Sequence, residues 1–151
     1  GLMIIGSEHT LGGLRYPAEM HLVHKGVDNP EKFAVVGVFL IVGNDGKALK
    51  VEENVLSKIT EPSNKSHISQ LKMQDKLPTN TKSFWRYNGS LTTPPCTECV
   101  TWTLFTEPIS ILPQQLALLR KICDKPNHIL EKNFRPVQKL NEREVLHICT
   151  K

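Results

Sequence analysis

Residues 18–24, Ala-Glu-Met-His-Leu-Val-His, alternate along the chain as a β-strand does. Successive strand side chains point to opposite faces, so Glu19, His21 and Val23 share one side. Met20, Leu22 and His24 share the other. Residues 33–42 behave differently: Phe-Ala-Val-Val-Gly-Val-Phe-Leu-Ile-Val is apolar throughout and rich in β-branched residues. Closed by Gly43-Asn44-Asp45-Gly46, this run predicts a central strand covered on both faces. The aromatic and β-branched residues of 83–87 and 99–105 predict two further strands, and 145–149 a last one. Helical spacing occurs twice. Val55, Leu56 and Ile59 predict a short helix over 52–60, ended by Pro62. Leu116, Leu119, Ile122 and Cys123 form a stripe over 113–125, where Pro113 suits the first helical position. Between the helices, residues 63–81 are polar and turn-rich, with Ile68, Leu71 and Leu77 as anchors.

Length and composition narrow the class. A chain of 151 residues is read as one domain with a core of its own. Ten prolines and nine glycines imply many turns, hence a sheet-dominated fold rather than a bundle. The formal charge of +4 comes mostly from scattered lysines. No basic run is interleaved with aromatics, which argues against a nucleic-acid partner. No apolar segment reaches membrane-spanning length. The chain begins at Gly1 rather than at methionine, which leaves its compartment open.

The four cysteines stand at 96, 99, 123 and 149. Cys96-Thr97-Glu98-Cys99 has the spacing of a zinc ribbon, yet the second pair a ribbon needs is missing. A dithiol redox site would sit at a helix start, whereas this motif precedes a strand. It reads as one strand cysteine and one loop cysteine. The triplets Asn64-Lys65-Ser66 and Asn88-Gly89-Ser90 fit glycosylation sequons, a pattern common by chance.

Candidate chemistry concentrates on the first strand. A histidine flanked on its own face by a carboxylate can offer one ring nitrogen to a metal. The carboxylate then holds the other nitrogen and fixes the tautomer.

Four segments in order carry a resemblance. They are Gly6-Ser7-Glu8-His9-Thr10, the 18–24 strand, Ser90-Leu91-Thr92-Thr93-Pro94-Pro95 leading to Glu98-Cys99-Val100-Thr101-Trp102, and Asn133-Phe134-Arg135-Pro136. Together they resemble the α-class carbonic anhydrases from residue 6 almost to the C-terminus. The resemblance implies an α/β, sheet-dominated fold: a large, mostly antiparallel twisted central β-sheet with a few short peripheral helices. It implies a zinc lyase that interconverts carbon dioxide and bicarbonate and is inhibited by sulfonamides and anions. His21 matches a zinc ligand and Glu19 its hydrogen-bond partner. Thr92 matches the threonine that accepts a hydrogen bond from zinc-bound hydroxide and donates its own proton to a carboxylate, matched by Glu8. Such a pair orients the nucleophile. Thr93 matches the hydrophilic side, and Val23, Val35, Leu91, Val100 and Trp102 the apolar wall beside the metal. Zinc lowers the pKa of its bound water to about 7, a figure for which carbonic anhydrase is itself the standard example. By the same resemblance His9 and His24 are structural histidines hydrogen-bonded inside the sheet, and Arg135 has a structural role. His67, His128 and His147 are read as surface residues.

The sequence also departs from the family. The family's first two zinc histidines form a His-x-His shortly before the Gly-Ser-Glu-His-Thr segment, where this chain has Gly1-Leu2-Met3-Ile4-Ile5. The proton-shuttle histidine further upstream is absent too. Residues 1–151 are therefore read as a single partial domain, about three-fifths of a family domain of roughly 250 residues. Its one zinc site is incomplete, and the isolated chain is expected to lack normal hydration activity. The alternative reading is a catalytically inactive binding or structural fragment. Missing strands would leave a sheet edge open. Cys96 lies where extracellular members place half of a disulfide, which favours a secreted or extracellular protein over a cytoplasmic one. Cys123 and Cys149 are left unassigned.

Overall fold

The unbroken apolar run becomes the strand around which the sheet is laid. A computed structural model describes residues 2–56, 73–123 and 134–151. Strand β1 (Leu2–Ile5) leads into a small hairpin of β2 (Thr10–Leu11) and β3 (Leu14–Arg15), then β4 (Ala18–Lys25) and β5 (Phe33–Val42). Helix α1 (Lys50–Leu56) is followed by β6 (Ser83–Gly89), β7 (Val100–Phe105), β8 (Ile109–Ile111), α2 (Pro113–Cys123) and β9 (Leu146–Cys149). The large sheet has seven strands in the order β1-β4-β5-β7-β6-β9, with β8 also paired to β5. It is antiparallel except where β5 runs parallel to β7 and β8. The structure is sheet-dominated, with a large central sheet and few short helices, as expected.

The two faces differ in what covers them. Met20, Leu22, Val38 and Leu40 pack with Leu116 and Leu119 of α2 to form the main core. Val35, Val100 and Trp102 form a second cluster on the opposite face, with Tyr87 and Leu91 packed against it. Glu19, His21 and Val23 share that second face, two residues apart along β4. Gly37 lies directly opposite His21 in the β4–β5 register. A Cβ there would sit 2.8 Å from Leu104 Cδ1, so glycine leaves room for the Leu104 side chain beside the buried Glu19.

Several boundaries differ from the sequence reading. Residues 2–5 form an edge strand, paired to β4 with Leu2 opposite His21 and Ile4 opposite Glu19. Helix α1 begins two residues earlier than expected, after a 3-10 turn at Lys47–Leu49 that buries Ala48 and Leu49. The proposed anchor Leu77 packs against the main core, whereas Ile59, Ile68 and Leu71 lie outside the described residues. Helix α2 is described to Cys123. The last strand begins at Leu146 rather than 145.

Gly6 is the turn between β1 and the segment that carries Glu8. Its φ of +74° is left-handed, and a Cβ would come within 2.6 Å of the Phe134 ring. Gly6→Ala is expected to destabilise the chain by about 1–3 kcal/mol, from backbone strain and overpacking combined. Urea unfolding checks it, and a loss below about 0.5 kcal/mol would count against the tight approach.

Candidate metal-ligand and hydrogen-bond centre

The centre begins with how Glu8 and His9 are fixed. The Ser7 hydroxyl donates to the His9 carbonyl at 2.7 Å and accepts the Tyr16 amide at 2.9 Å. The Ser7 carbonyl accepts from Arg15, whose guanidinium lies 3.8 Å over the Phe134 ring. Backbone pairs Gly6–Pro17 and Ser7–Tyr16 complete the clamp against the approach to β4. This places His9 beside Glu19.

Glu19 is wholly buried and accepts three N–H groups. The His9 amide donates to Oε1 at 3.0 Å, His9 Nδ1 to Oε2 at 2.7 Å, and His21 Nε2 also to Oε2. Burial on its own would raise the Glu19 pKa. The hydrogen bonds from His21 and His9, with their electrostatic attraction, outweigh it and lower the pKa to about 2. The carboxylate is therefore ionised at neutral pH and only accepts, so both ring nitrogens facing it carry the hydrogen. His9 Nε2, 2.6 Å from the Tyr87 oxygen, then accepts the phenol proton. Burial first, then the charges of Glu19 and Glu8, push the Tyr87 phenol upward against an opposing contribution from Arg143, which keeps it a donor. The network runs Tyr87 to His9 to Glu19, with His21 joining from the other side.

His21 thus has one committed nitrogen and one open one. Nδ1 faces the Glu8 carboxylate, 4.0 Å from Oε2. Glu8 is held by its other oxygen, which accepts the Arg135 backbone N–H at 3.0 Å. Oε2 of Glu8 is buried and has no hydrogen-bond partner among the described residues. The Arg135 guanidinium donates to the Ser90 hydroxyl at 3.2 Å and ties this segment to the loop that carries Thr92.

Glu8 and Thr92 line one cavity of about 410 Å³, whose sheet wall includes Trp85, Tyr87 and Trp102. No hydrogen bond joins Thr92 to Glu8 among the described residues; the Arg135 amide is the group that holds Glu8. Thr93 is exposed. Leu91, Val35, Val100 and Trp102 come together as one apolar cluster. Val23 stands across from Val35 but is 49% exposed. His24 differs from its expected place inside the sheet: it is exposed, in the last part of β4 where Val23 and Lys25 are exposed too. His147 is exposed and lies 5.6 Å from the Trp85 ring; His67 and His128 lie outside the described residues.

His9, Glu19 and His21 bring three potential metal donors within 4.8 Å of one another. Both histidines already donate to the carboxylate, and His9 uses its second nitrogen on Tyr87. A metal here would have to displace these bonds, so the trio is a hydrogen-bond hub. Catalytic zinc takes three protein ligands and one open position. Across from Glu19, β1 offers only the buried aliphatic Ile4. This centre therefore presents one uncommitted imidazole nitrogen, that of His21, and the described residues do not by themselves fit a complete catalytic zinc site.

Cys96, Cys99 and Cys149 are free thiols, while the Cys123 side chain lies outside the described residues. Among the described residues no helix is long and apolar enough to cross a membrane. Sequence reasoning missed Tyr87 and the Arg135 amide. They reach their partners across 78 and 127 residues, and a backbone donor leaves no residue-type signal.

A family model for eukaryotic-type carbonic anhydrase matches residues 3–149. The putative carbonic anhydrase 3 of Caenorhabditis elegans is 57% identical over 143 residues, covering 95% of this chain and 58% of that protein. Horse carbonic anhydrase 3 is 37% identical over 153 residues, covering 93% and 58%. Among solved structures, the α-carbonic anhydrase of Thermovibrio ammonificans, in complex with the inhibitor sulfanilamide, superposes with a TM-score of 0.80 at 39% identity. That match covers 95% of this chain and 59% of the other. The chain spans about three-fifths of the length of these relatives.

Proposed function

Because the chain belongs to the eukaryotic-type carbonic anhydrase family, we propose that it serves zinc-dependent, reversible hydration of carbon dioxide to bicarbonate and a proton. The observation that carries this reading is the state of His21: Nε2 anchored on Glu19, Nδ1 open. A carboxylate on the far nitrogen is how metal-bound histidines are oriented, and losing such a partner costs about 10–100-fold in affinity or activity. Zinc, where bound, supplies a hydroxide nucleophile at neutral pH.

The remaining roles are read from this chain's own residues. Glu19 fixes the imidazole and its tautomer. Glu8 and Thr92, on one cavity wall, are the orienting pair: the free Glu8 oxygen can accept the Thr92 hydroxyl proton and leave the threonine oxygen as an acceptor. Thr93 gives the polar side. Leu91, Val35, Val100 and Trp102 supply the dry surface that a nonpolar gas needs, with Val23 at its exposed margin. Sulfonamides are the expected inhibitors, as sulfanilamide is of the Thermovibrio enzyme.

A second reading, a carbonic-anhydrase-like module without catalysis, is favoured by one observation: a single open imidazole nitrogen at this centre, that of His21. The test is stopped-flow hydration of carbon dioxide, on the 151-residue chain and on a chain completed with the portion of the nematode relative that it does not match. The 151-residue chain is expected to stay near the uncatalysed rate. The completed chain is expected to turn over in a zinc-dependent manner, with a loss of at least about 100-fold in His21→Ala. A folded, zinc-loaded completed chain without turnover would favour the second reading.

A further inference from the structure

We infer that His147 and Cys149, on the exposed strand β9, form a two-donor site for a thiophilic divalent cation such as zinc. The pair lies on a different strand from Glu19 and His21 and shares no residue with the hub around them.

Strand register brings the two donors together. Strand β9 runs antiparallel to β6, with His147 opposite Trp85 and Cys149 opposite Ser83. Alternation puts His147 and Cys149 on one face, two residues apart, so their Cβ atoms stand about 6.7 Å from each other. The imidazole does not stay over its own cross-strand partner. Its Nε2 lies 3.3 Å from the hydroxyl oxygen of Ser83, which is the residue facing Cys149. The ring therefore leans along the strand toward the thiol. Trp85 backs it, at a centroid distance of 5.6 Å and an interplanar angle of 31°.

Both donors are open to solvent, and the thiol is free. Ser83, by contrast, is buried, and its carbonyl accepts both the amide and the hydroxyl of Thr106, at 3.2 Å each. Its hydroxyl is thus a fixed post for the ring. With Nε2–H donated to that oxygen, Nδ1 is the nitrogen left for an ion. An outer hydrogen bond of this kind is how metal-binding imidazoles are oriented. Zinc binds imidazole nitrogen at about 2.0–2.1 Å and thiolate sulfur at about 2.3 Å, which sets the two donor atoms about 3.5 Å apart at a tetrahedral angle. Side chains that start about 6.7 Å apart on one strand face can lean inward to that separation. A coordinating thiol gives up its proton to solvent as the ion binds. Thiolate with imidazole selects zinc or cobalt over calcium and magnesium, which prefer all-oxygen shells. Exposure of the strand lets water complete the coordination.

The test is cobalt(II) titration of the 151-residue chain with its thiols kept reduced, read by the charge-transfer absorption of a cobalt–thiolate bond. One ion per chain is expected, with quenching of tryptophan fluorescence that is lost in Trp85→Phe. Cys149→Ser should abolish the band. His147→Ala should weaken binding at least about 10-fold, and Ser83→Ala about 10-fold, while the double variant Cys96→Ser, Cys99→Ser stays within about twofold. Zinc-edge X-ray absorption of the unaltered chain needs no variant to fold, and should show one sulfur and one imidazole with oxygen filling the rest of the shell. No effect of Ser83→Ala would overturn the orienting role of its hydroxyl alone. A band that survives Cys149→Ser, unchanged binding in His147→Ala, a shell with two sulfurs or none, or no band at millimolar cobalt would overturn the site itself.

Discussion

Glu19→Gln is expected to destabilise the folded chain by about 3 kcal/mol at neutral pH, although it barely changes the size of the side chain. The carboxylate accepts three N–H groups in a fully buried position. An amide in its place has one acceptor oxygen, and its own N–H₂ confronts at least one of those donors. Breaking a buried charged pair from one side costs about 3–5 kcal/mol, and leaving a buried donor unsatisfied about 1–3 kcal/mol. Rotation or a tautomer change of the histidines recovers part of that loss. The pH dependence has a definite sign. The folded Glu19 pKa is lowered from 4.5 to about 2, so its stabilisation is complete above 4.5 and is lost as pH falls from 4.5 toward 2. Urea unfolding of both proteins should therefore show a gap that is largest at pH 7 and narrows at pH 3. A gap that stayed constant, or grew on acidification, would show that the charge of Glu19 is not what stabilises the hub.

Trp102→Ala is expected to cost about 3–5 kcal/mol, the range for removing a buried tryptophan. The indole is nearly inaccessible and forms the floor of the second cluster with Val35 and Val100. Its ring meets His9 and His21 edge-on, at centroid distances of 5.0 and 4.8 Å, and lies parallel to Tyr87 at 6.4 Å. Its N–H donates to the Ser90 carbonyl at 3.1 Å, two residues before Thr92. Removal thus opens a cavity and also frees the Thr92 loop. Trp102→Phe keeps most of the ring and loses the hydrogen bond, so its cost should be smaller, about 1–2 kcal/mol. Faster amide exchange at Leu91, whose N–H bonds the Thr97 carbonyl, should accompany the alanine variant. A loss under about 1 kcal/mol in Trp102→Ala would mean that the cluster does not organise this face.

How much of this was legible in the sequence depended on the range of the signal. Alternation over 18–24 located β4 and put Glu19 and His21 on one face, because a strand's period is two and the pattern spans several repeats. The apolar run of 33–42 located β5 by a different signal, an unbroken β-branched stretch closed by turn residues, which marks a strand covered on both faces. Strands β1 and β8, of four and three residues, are too short to show a period, and only pairing to β4 and β5 defines them. Pairing between Glu19 and His21 was readable as local spacing. The Tyr87 and Arg135 contacts were not, since tertiary folding alone brings those residues to His9 and Glu8. Burial of Val35, Val100 and Trp102 would suit almost any sheet, and their reading as a pocket wall rested on the family resemblance; of the three, Trp102 lines the cavity. Alternation assigned Val23 to the correct face but could not say that nothing among the described residues would cover it.

The central claim is that Glu19 holds His21 with the hydrogen on Nε2 and leaves Nδ1 free for a cation. Long-range ¹H–¹⁵N correlation spectra of the His21 ring report this directly. A protonated Nε2 and a bare Nδ1 at neutral pH, with the Nδ1 resonance moving when zinc or cadmium is added and Nε2 staying bonded to the carboxylate, is the expected result. A hydrogen on Nδ1, or a ring that does not respond to the metal, would contradict the account.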